Sequence, residues 1–329
     1  MSCGVDGSVR LWSLRGSPPE EPRTLFDWGH PVEGVVASLD ISADGRVVVA
    51  TGGEGRVRVI PLDGRPQRDL VSGARRVVRA AVSGDGRLVA AATSTAGHAV
   101  VRIWDLETDE VTVVDLPDSG ESVEIIIPLR FTRGGRLLVG CFGRLQQWDP
   151  STREVDQVLD GVHEFGLDSE GRRVIGRETA DGQSGFVTIG SLDDGSSRTL
   201  ASHGPDVVSV ALDPSGEIAV TGSRDGSVRV GAATGQPPQT LVIDDAGALA
   251  VAVSPDGRWI ASGHVDGTIR LWAMPELARP PILDLRHREL LALLRSQTNL
   301  RAVPDPDSPG NYVVRATEPF AGWATVPEW

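Results

Sequence analysis

The chain has 329 residues and a formal net charge of −13, and its 32 basic residues are all arginine. Two cysteines, Cys3 and Cys141, are too few for a disulfide framework and form no CxxC pair. No apolar run reaches the ~18 residues of a membrane span, no basic-then-apolar leader is read at the start, and an acidic chain without a basic stripe argues against nucleic acid or anionic lipid as a partner.

In chain order, "MSCGVDGSVRLW" (1–12) and the segment around 23–27 predict a third and an outermost strand of a small sheet. A turn signature then recurs six times: "SADGR" (42–46), "SGDGR" (83–87), "TRGGR" (132–136), "DSEGR" (168–172), "DPSGE" (213–217) and "SPDGR" (254–258). The glycines of these turns are spaced by 41, 49, 36, 45 and 41 residues, close to the ~40–45-residue period of a propeller blade. Asp and Ser side chains fold back on their own backbone, and Gly accepts the positive φ of a tight hairpin.

Short apolar runs flank every turn. In one interval "VVSVALD" (207–213), "IAVTGS" (218–223), "VRVG" (228–231) and "QTLVID" (239–244) read as a four-stranded antiparallel meander, with "RDGS" (224–227) as its second turn. The same order is read five more times. "ASGHVDGTIRLW" (261–272) repeats the opening stretch almost position for position.

"SPDGRWIASGHVDGTIRLW" (254–272), the Trp104-Asp105 and Trp148-Asp149 dipeptides, and "VRLW", "VRIW" and "IRLW" on third strands carry a resemblance to the WD40-repeat family over residues 1–285. The resemblance implies an all-β, seven-bladed WD40-type β-propeller whose first blade is incomplete, lacking its two inner strands. It also implies a structural network of a His before the first strand, a Ser or Thr on the second, an Asp in the next turn and a Trp on the third. Ser2, Asp6 and Trp12 match three of these positions, as do Ser262, Asp266 and Trp272. His203, Thr221 and Asp225 match three in another repeat, where Gly231 replaces the Trp. His30 is accompanied by Glu54 and Ile60 instead of Asp and Trp, and His98 replaces the Asp before Trp104. These residues are expected to hold blades together and to carry no chemistry.

From 286 the period changes. "RHRELLALLRSQTNL" (286–300) predicts a short amphipathic helix, and "NLRAV" (299–303) with "NYVVRAT" (311–317) a hairpin around "PDPDSPG". Residues 286–329 are therefore expected to form a tail that packs on or closes the propeller, with Trp323 and Trp329 covering apolar surface. This ending resembles the segment after the last repeat in large bacterial WD proteins that carry a Ser/Thr kinase or STAND-type NTPase module. Either the tail or an upstream part of the natural protein fills the missing slot of the first blade, and the upstream part is the favoured reading.

No phosphate-binding loop or kinase motif is present. His163-Glu164 resembles an acid/base couple, but neighbours on a strand point to opposite faces. "GQSG" (182–185) lacks the GxSxG spacing, and "DPDSPGN" (305–311) lacks the EF-hand spacing. His264 reads as a surface residue beside a turn. Arg10, Arg58, Arg102, Arg229 and Arg270 recur on third strands and are expected to lay apolar stems between blades with their heads at the rim. The remaining innermost strands, such as "VVRAAVS" (77–83) and "ALAVAVS" (248–254), read as apolar or small.

The expectation is a cytoplasmic, non-catalytic scaffold or sensor module without cofactor or metal, from a bacterial signalling protein. Its partner would be another protein or a covalently linked effector domain. The alternative is a propeller enzyme or small-ligand binder using the central funnel, with Glu124, His163 and Asp206 as the groups to examine, although they are expected to lie too far apart.

Overall fold

The computed structural model describes residues 1–277 except 5, 14–20, 29–37, 52–54, 75–76, 78, 96–97, 117–127, 142–143, 153, 161, 180–184, 201–202, 205 and 243–245, and then 300–304 and 312–316. Side chains at 94, 95, 98, 141, 157–160, 162, 163, 178, 179, 185 and 242, and in the last two segments, lie outside this description. Two compact units are formed by Met1–Pro275 and Glu276–Trp329.

The first unit is a β-propeller of seven antiparallel sheets. The first sheet holds β1 (Ser2–Cys3), β2 (Ser8–Leu11) and β3 (Arg23–Asp27), and the second β4 (Leu39–Ile41), β5 (Val47–Thr51), β6 (Arg56–Pro61) and β7 (Arg68–Val71). The third is β8 (Arg79–Val82), β9 (Leu88–Thr95), β10 (His98–Asp105) and β11 (Val111–Asp115). The fourth is β12 (Leu129–Phe131), β13 (Leu137–Cys141), β14 (Arg144–Trp148) and β15 (Val155–Asp160). The fifth is β16 (Val162–Leu167), β17 (Arg173–Thr179), β18 (Gly185–Ser191) and β19 (Ser197–Thr199). The sixth is β20 (Val207–Leu212), β21 (Ile218–Ser223), β22 (Val228–Ala232) and β23 (Gln239–Val242), and the seventh β24 (Ala248–Val253), β25 (Trp259–His264) and β26 (Ile269–Ala273).

The first blade corrects one expectation. Only its innermost strand is missing among the described residues, because Ser2 and Cys3 already pair with Arg10 and Val9 as a short second strand. A two-residue strand leaves too little alternation to be read from sequence.

The second unit contains a hairpin of β27 (Leu300–Pro304) and β28 (Tyr312–Ala316), paired from Leu300↔Ala316 to Pro304↔Tyr312, as the sequence predicts. The helix expected at 286–300 lies outside the described residues, apart from Leu300, as do Trp323, Trp329 and "DPDSPGN".

Alternation along each strand builds a separate core at each blade boundary. Val48 and Ala50 face the first sheet, where they meet Val9, whereas Val47 and Val49 join Val82, Val89 and Trp104 of the third. Ala81, Ala90 and Val101 then pack with Leu137, Val139 and Trp148 of the fourth. Every interior sheet therefore spends both faces on neighbours, as expected of a repeat array.

The turn signature works as its chemistry requires. Asp44 Oδ1 accepts Ser42 Oγ at 2.5 Å and the Arg46 N–H at 3.0 Å, while Ser42 Oγ accepts the Val47 N–H at 3.0 Å. Where the first position is Asp213, its carboxylate takes the Glu217 and Ile218 N–H groups at 2.8 and 2.7 Å. The turn glycines have φ near +70°, and three of them also closely abut the preceding blade. A Cβ on Gly86 would meet Val47 Cγ2 at 2.9 Å. A Cβ on Gly171 would meet Thr132 Cβ at 2.9 Å, and one on Gly216 would meet Arg173 Cδ at 2.9 Å. Around Gly135 (φ +79°) the space is open.

Gly135→Ala should thus cost about 1–2 kcal/mol, the strain of a left-handed residue alone. Gly171→Ala should cost more, because Thr132 must also move. Urea denaturation midpoints of the two variants check this, and equal losses would show that the blade contact at Gly171 contributes nothing.

Candidate functional site

The proposed structural residues form two kinds of contact. In the seventh blade Trp272 Nε1 donates to Ser262 Oγ at 3.3 Å, and Ser262 Oγ shares a 2.9 Å hydrogen bond with His264 Nε2. His264 Nδ1 then reaches the Ala246 carbonyl at 3.0 Å. That chain places the imidazole proton on Nδ1, since only a donor satisfies a carbonyl. His264 is 6% exposed, so the surface reading is wrong. It ties the second strand to the segment before the first, the task assigned by the WD40 pattern to a His upstream. Its position two residues after Ser262 gave no local cue.

In the first blade Trp12 Nε1 donates to Ser2 Oγ at 2.8 Å, and Gly4 occupies the place equivalent to His264. In the sixth, His203 Nδ1 lies 3.1 Å from Thr221 Oγ1, and both residues are fully buried. Gly231 stands in for Trp because Pro238 fills the space. A Cβ at 231 would sit 2.9 Å from Pro238 Cβ and 3.1 Å from His203 Nε2. His30, Glu54 and the His98 side chain lie outside the described residues.

The turn aspartates serve a second purpose. Asp6 accepts the Ser8 N–H and pairs with Arg10 at 2.6 Å; Asp225 accepts the Ser227 N–H and pairs with Arg229 at 3.1 Å. Asp266 takes the Thr268 N–H and hydroxyl. Arg229 also donates to the His203 carbonyl at 3.2 Å, so Asp225 reaches its histidine through an arginine. In the second blade the carboxylate comes instead from the outermost strand, where Asp69 pairs with Arg58 at 2.6 Å. That guanidinium lies 4.0 Å over the Phe26 ring. Arg10, Arg58 and Arg229 thus fasten turns and strands through their guanidinium groups.

The innermost strands are less apolar than expected. Counting back seven residues from each turn glycine gives Ser38, Arg79, Pro128, Glu164, Ser209 and Ala250; counting back five gives Asp40, Ala81, Arg130, Gly166, Ala211 and Ala252. Within this ring, side chains of one blade cap the backbone of the next at a fixed interval. Asp40 Oδ2 accepts the Val82 N–H at 3.0 Å, and Ser209 Oγ accepts the Val251 N–H at 3.1 Å, each 42 residues away.

Two ion pairs each skip a blade. Arg79 of the third meets Glu164 of the fifth at 2.7 Å, and Arg130 of the fourth meets Asp40 of the second at 3.0 Å. Burial raises the Asp40 carboxyl pKa, opposed by Arg130 and the Val82 N–H. Nearby, burial pushes the Cys3 thiol up to about 11 against the pull of Arg79, so Cys3 is a poor nucleophile.

Of the three groups singled out for the funnel, Asp206 alone is described with its side chain. Asp206 is exposed, in a left-handed conformation at φ 61°, and its carbonyl accepts the Arg224 N–H. Glu124 and the His163 side chain lie outside the described residues. No cluster of three or more metal-ligating side chains occurs among the described residues.

Residues 195–230 and 235–273 match the family model described as WD domain, G-beta repeat. Those two stretches carry WD40 repeats on the seven-bladed β-propeller. Each matched WD40 repeat starts at or just before the outermost strand of one sheet and runs into the third strand of the next, so repeat and sheet are out of step by one strand. The two repeats contain His203, Thr221, Asp225, Ser262, Asp266 and Trp272. No curated protein matches the chain.

Burial, followed by the Arg229 charge, pulls the His203 pKa down to about 4. Folding therefore favours the neutral ring. Its contribution is complete above the unfolded value near 6.5 and is lost as pH falls toward 4. The stability difference between wild type and His203→Gln should shrink by about 3 kcal/mol over that interval. Urea unfolding at pH 7.5 and 4 measures it, and a difference independent of pH would contradict the assignment.

Proposed function

We propose that this propeller is a non-catalytic protein-interaction scaffold or sensor module of a bacterial cytoplasmic signalling system, acting on a separate protein or on a covalently linked effector. Support comes first from the WD40 architecture, whose sheets hold their loops and outer strands on a rigid frame. The observation that carries the reading is at the rim. On the outermost strands of the third and fourth blades, Val111 is 50%, Val113 53% and Val155 51% exposed. Val155 lines a cleft of about 230 Å³ with Val101, Val114, Leu116, Leu137 and Trp148, and Val111 and Val113 stand on the face of their strand opposite Val114. An outer strand with free backbone groups and exposed β-branched residues is suited to another protein's apolar edge.

The kinase- or NTPase-linked setting rests on the likeness of the tail to such proteins, and it would make the propeller the sensing half of a larger switch. Either form of the reading requires the rim to touch protein.

Affinity capture from the native organism, comparing wild type with a Val111→Asp, Val113→Asp double variant, tests it. Specific proteins should be recovered with the wild type and lost with the variant at unchanged thermal stability. Recovery of nothing, or of the same set with both, would count against the reading.

A further inference from the structure

Two ion pairs cross the hub of a protein whose net charge is −13. Arg79 and Arg130 are neutralised by Glu164 and Asp40. Arg177 and Arg224 form no ion pair among the described residues. Arg177 lies on β17 directly opposite Glu164 in the strand register, yet Glu164 gives its carboxylate to Arg79 across the hub. The Arg177 Nε is buried and has no hydrogen-bond partner among the described residues. Arg224 follows β21 in the next blade's turn, at the end of the propeller where β8, β16 and β20 begin.

We propose that this end of the hub binds a small multivalent oxyanion, held by Arg177 and Arg224 beside the Arg79–Glu164 pair. A half-buried guanidinium whose neighbouring carboxylate is bonded to another arginine costs free energy that an anion would recover. Planar guanidinium forks suit the paired oxygens of phosphate or of a carboxylate. Burial and the neighbouring Arg224 both disfavour the charged form of Arg177, with Glu164 in partial opposition, as expected where positive charge is left over. The wall supports selection by size, since Ser209, Ala211, Ala250 and Ala252 leave the sixth and seventh blades with small side chains there. This site is independent of the rim surface, so either can fail without the other.

Isothermal titration of the full chain with inorganic phosphate, and separately with citrate, tests the proposal at constant ionic strength set by chloride. One site is expected, with the tighter of the two anions telling phosphate from polycarboxylate chemistry. Arg177→Gln and Arg224→Gln should each weaken it by about tenfold or more. Arg133→Gln, which breaks an exposed pair with Glu170, should leave it unchanged. Arg224 sits in a turn, so its variant remains informative even if Arg177→Gln fails to fold. Absence of binding by both anions, or binding that survives Arg224→Gln, would overturn the site.

Discussion

Face-to-face contact between consecutive sheets is the interaction on which the molecule depends. A sheet of four short strands has two faces, and in this chain both are apolar: Val47 and Val49 point one way, Val48 and Ala50 the other, and all four are buried. Such a sheet cannot meet water on either side. Its stability belongs to the boundary with the next sheet, which explains why the cores follow blade boundaries rather than blades. The turn glycines and the capping hydrogen bonds 42 residues apart set the spacing at which those faces meet.

The hub follows from that arrangement. Innermost strands from different blades converge, so residues remote in sequence come within ion-pair distance. Arg79–Glu164 and Arg130–Asp40 brace blades that share no sheet boundary, adding a polar constraint inside an apolar ring. Partly buried pairs of this kind need not add much net stability, because desolvation offsets attraction. Removing one partner, by contrast, strands the other. Arg177 and Arg224 stand at the same end as the Arg79–Glu164 pair and form no ion pair among the described residues.

Much of the fold was legible because propeller chemistry is local. A Ser-x-Asp-Gly turn writes its own hydrogen bonds, and a repeated period exposes the architecture even where single blades drift. The WD40 resemblance singled out Ser2, Trp12, His203, Thr221, Ser262 and Trp272, and Trp12 meets Ser2, His203 meets Thr221 and Trp272 meets Ser262. Legibility ended where partners come from elsewhere. His264 looked like a turn neighbour because its acceptor, the Ala246 carbonyl, lies across the sheet. "VVRAAVS" looked apolar because the partner of its arginine is 85 residues away. Pro238, which displaces the tryptophan expected at 231, belongs to a loop with no motif. Arg177 carries no signal at all, since its significance lies in a carboxylate that turns toward another residue.

If neighbouring sheets stabilise one another, they cannot open singly. Native-state hydrogen exchange on the full chain addresses this most directly, read at the buried second strands β5, β9, β13, β17 and β21 under increasing denaturant. The account predicts that their slowest amides converge on one opening free energy and fall together when Val49→Ala thins a single boundary. Five separate free energies, with only β5 and its immediate neighbours responding, would contradict it.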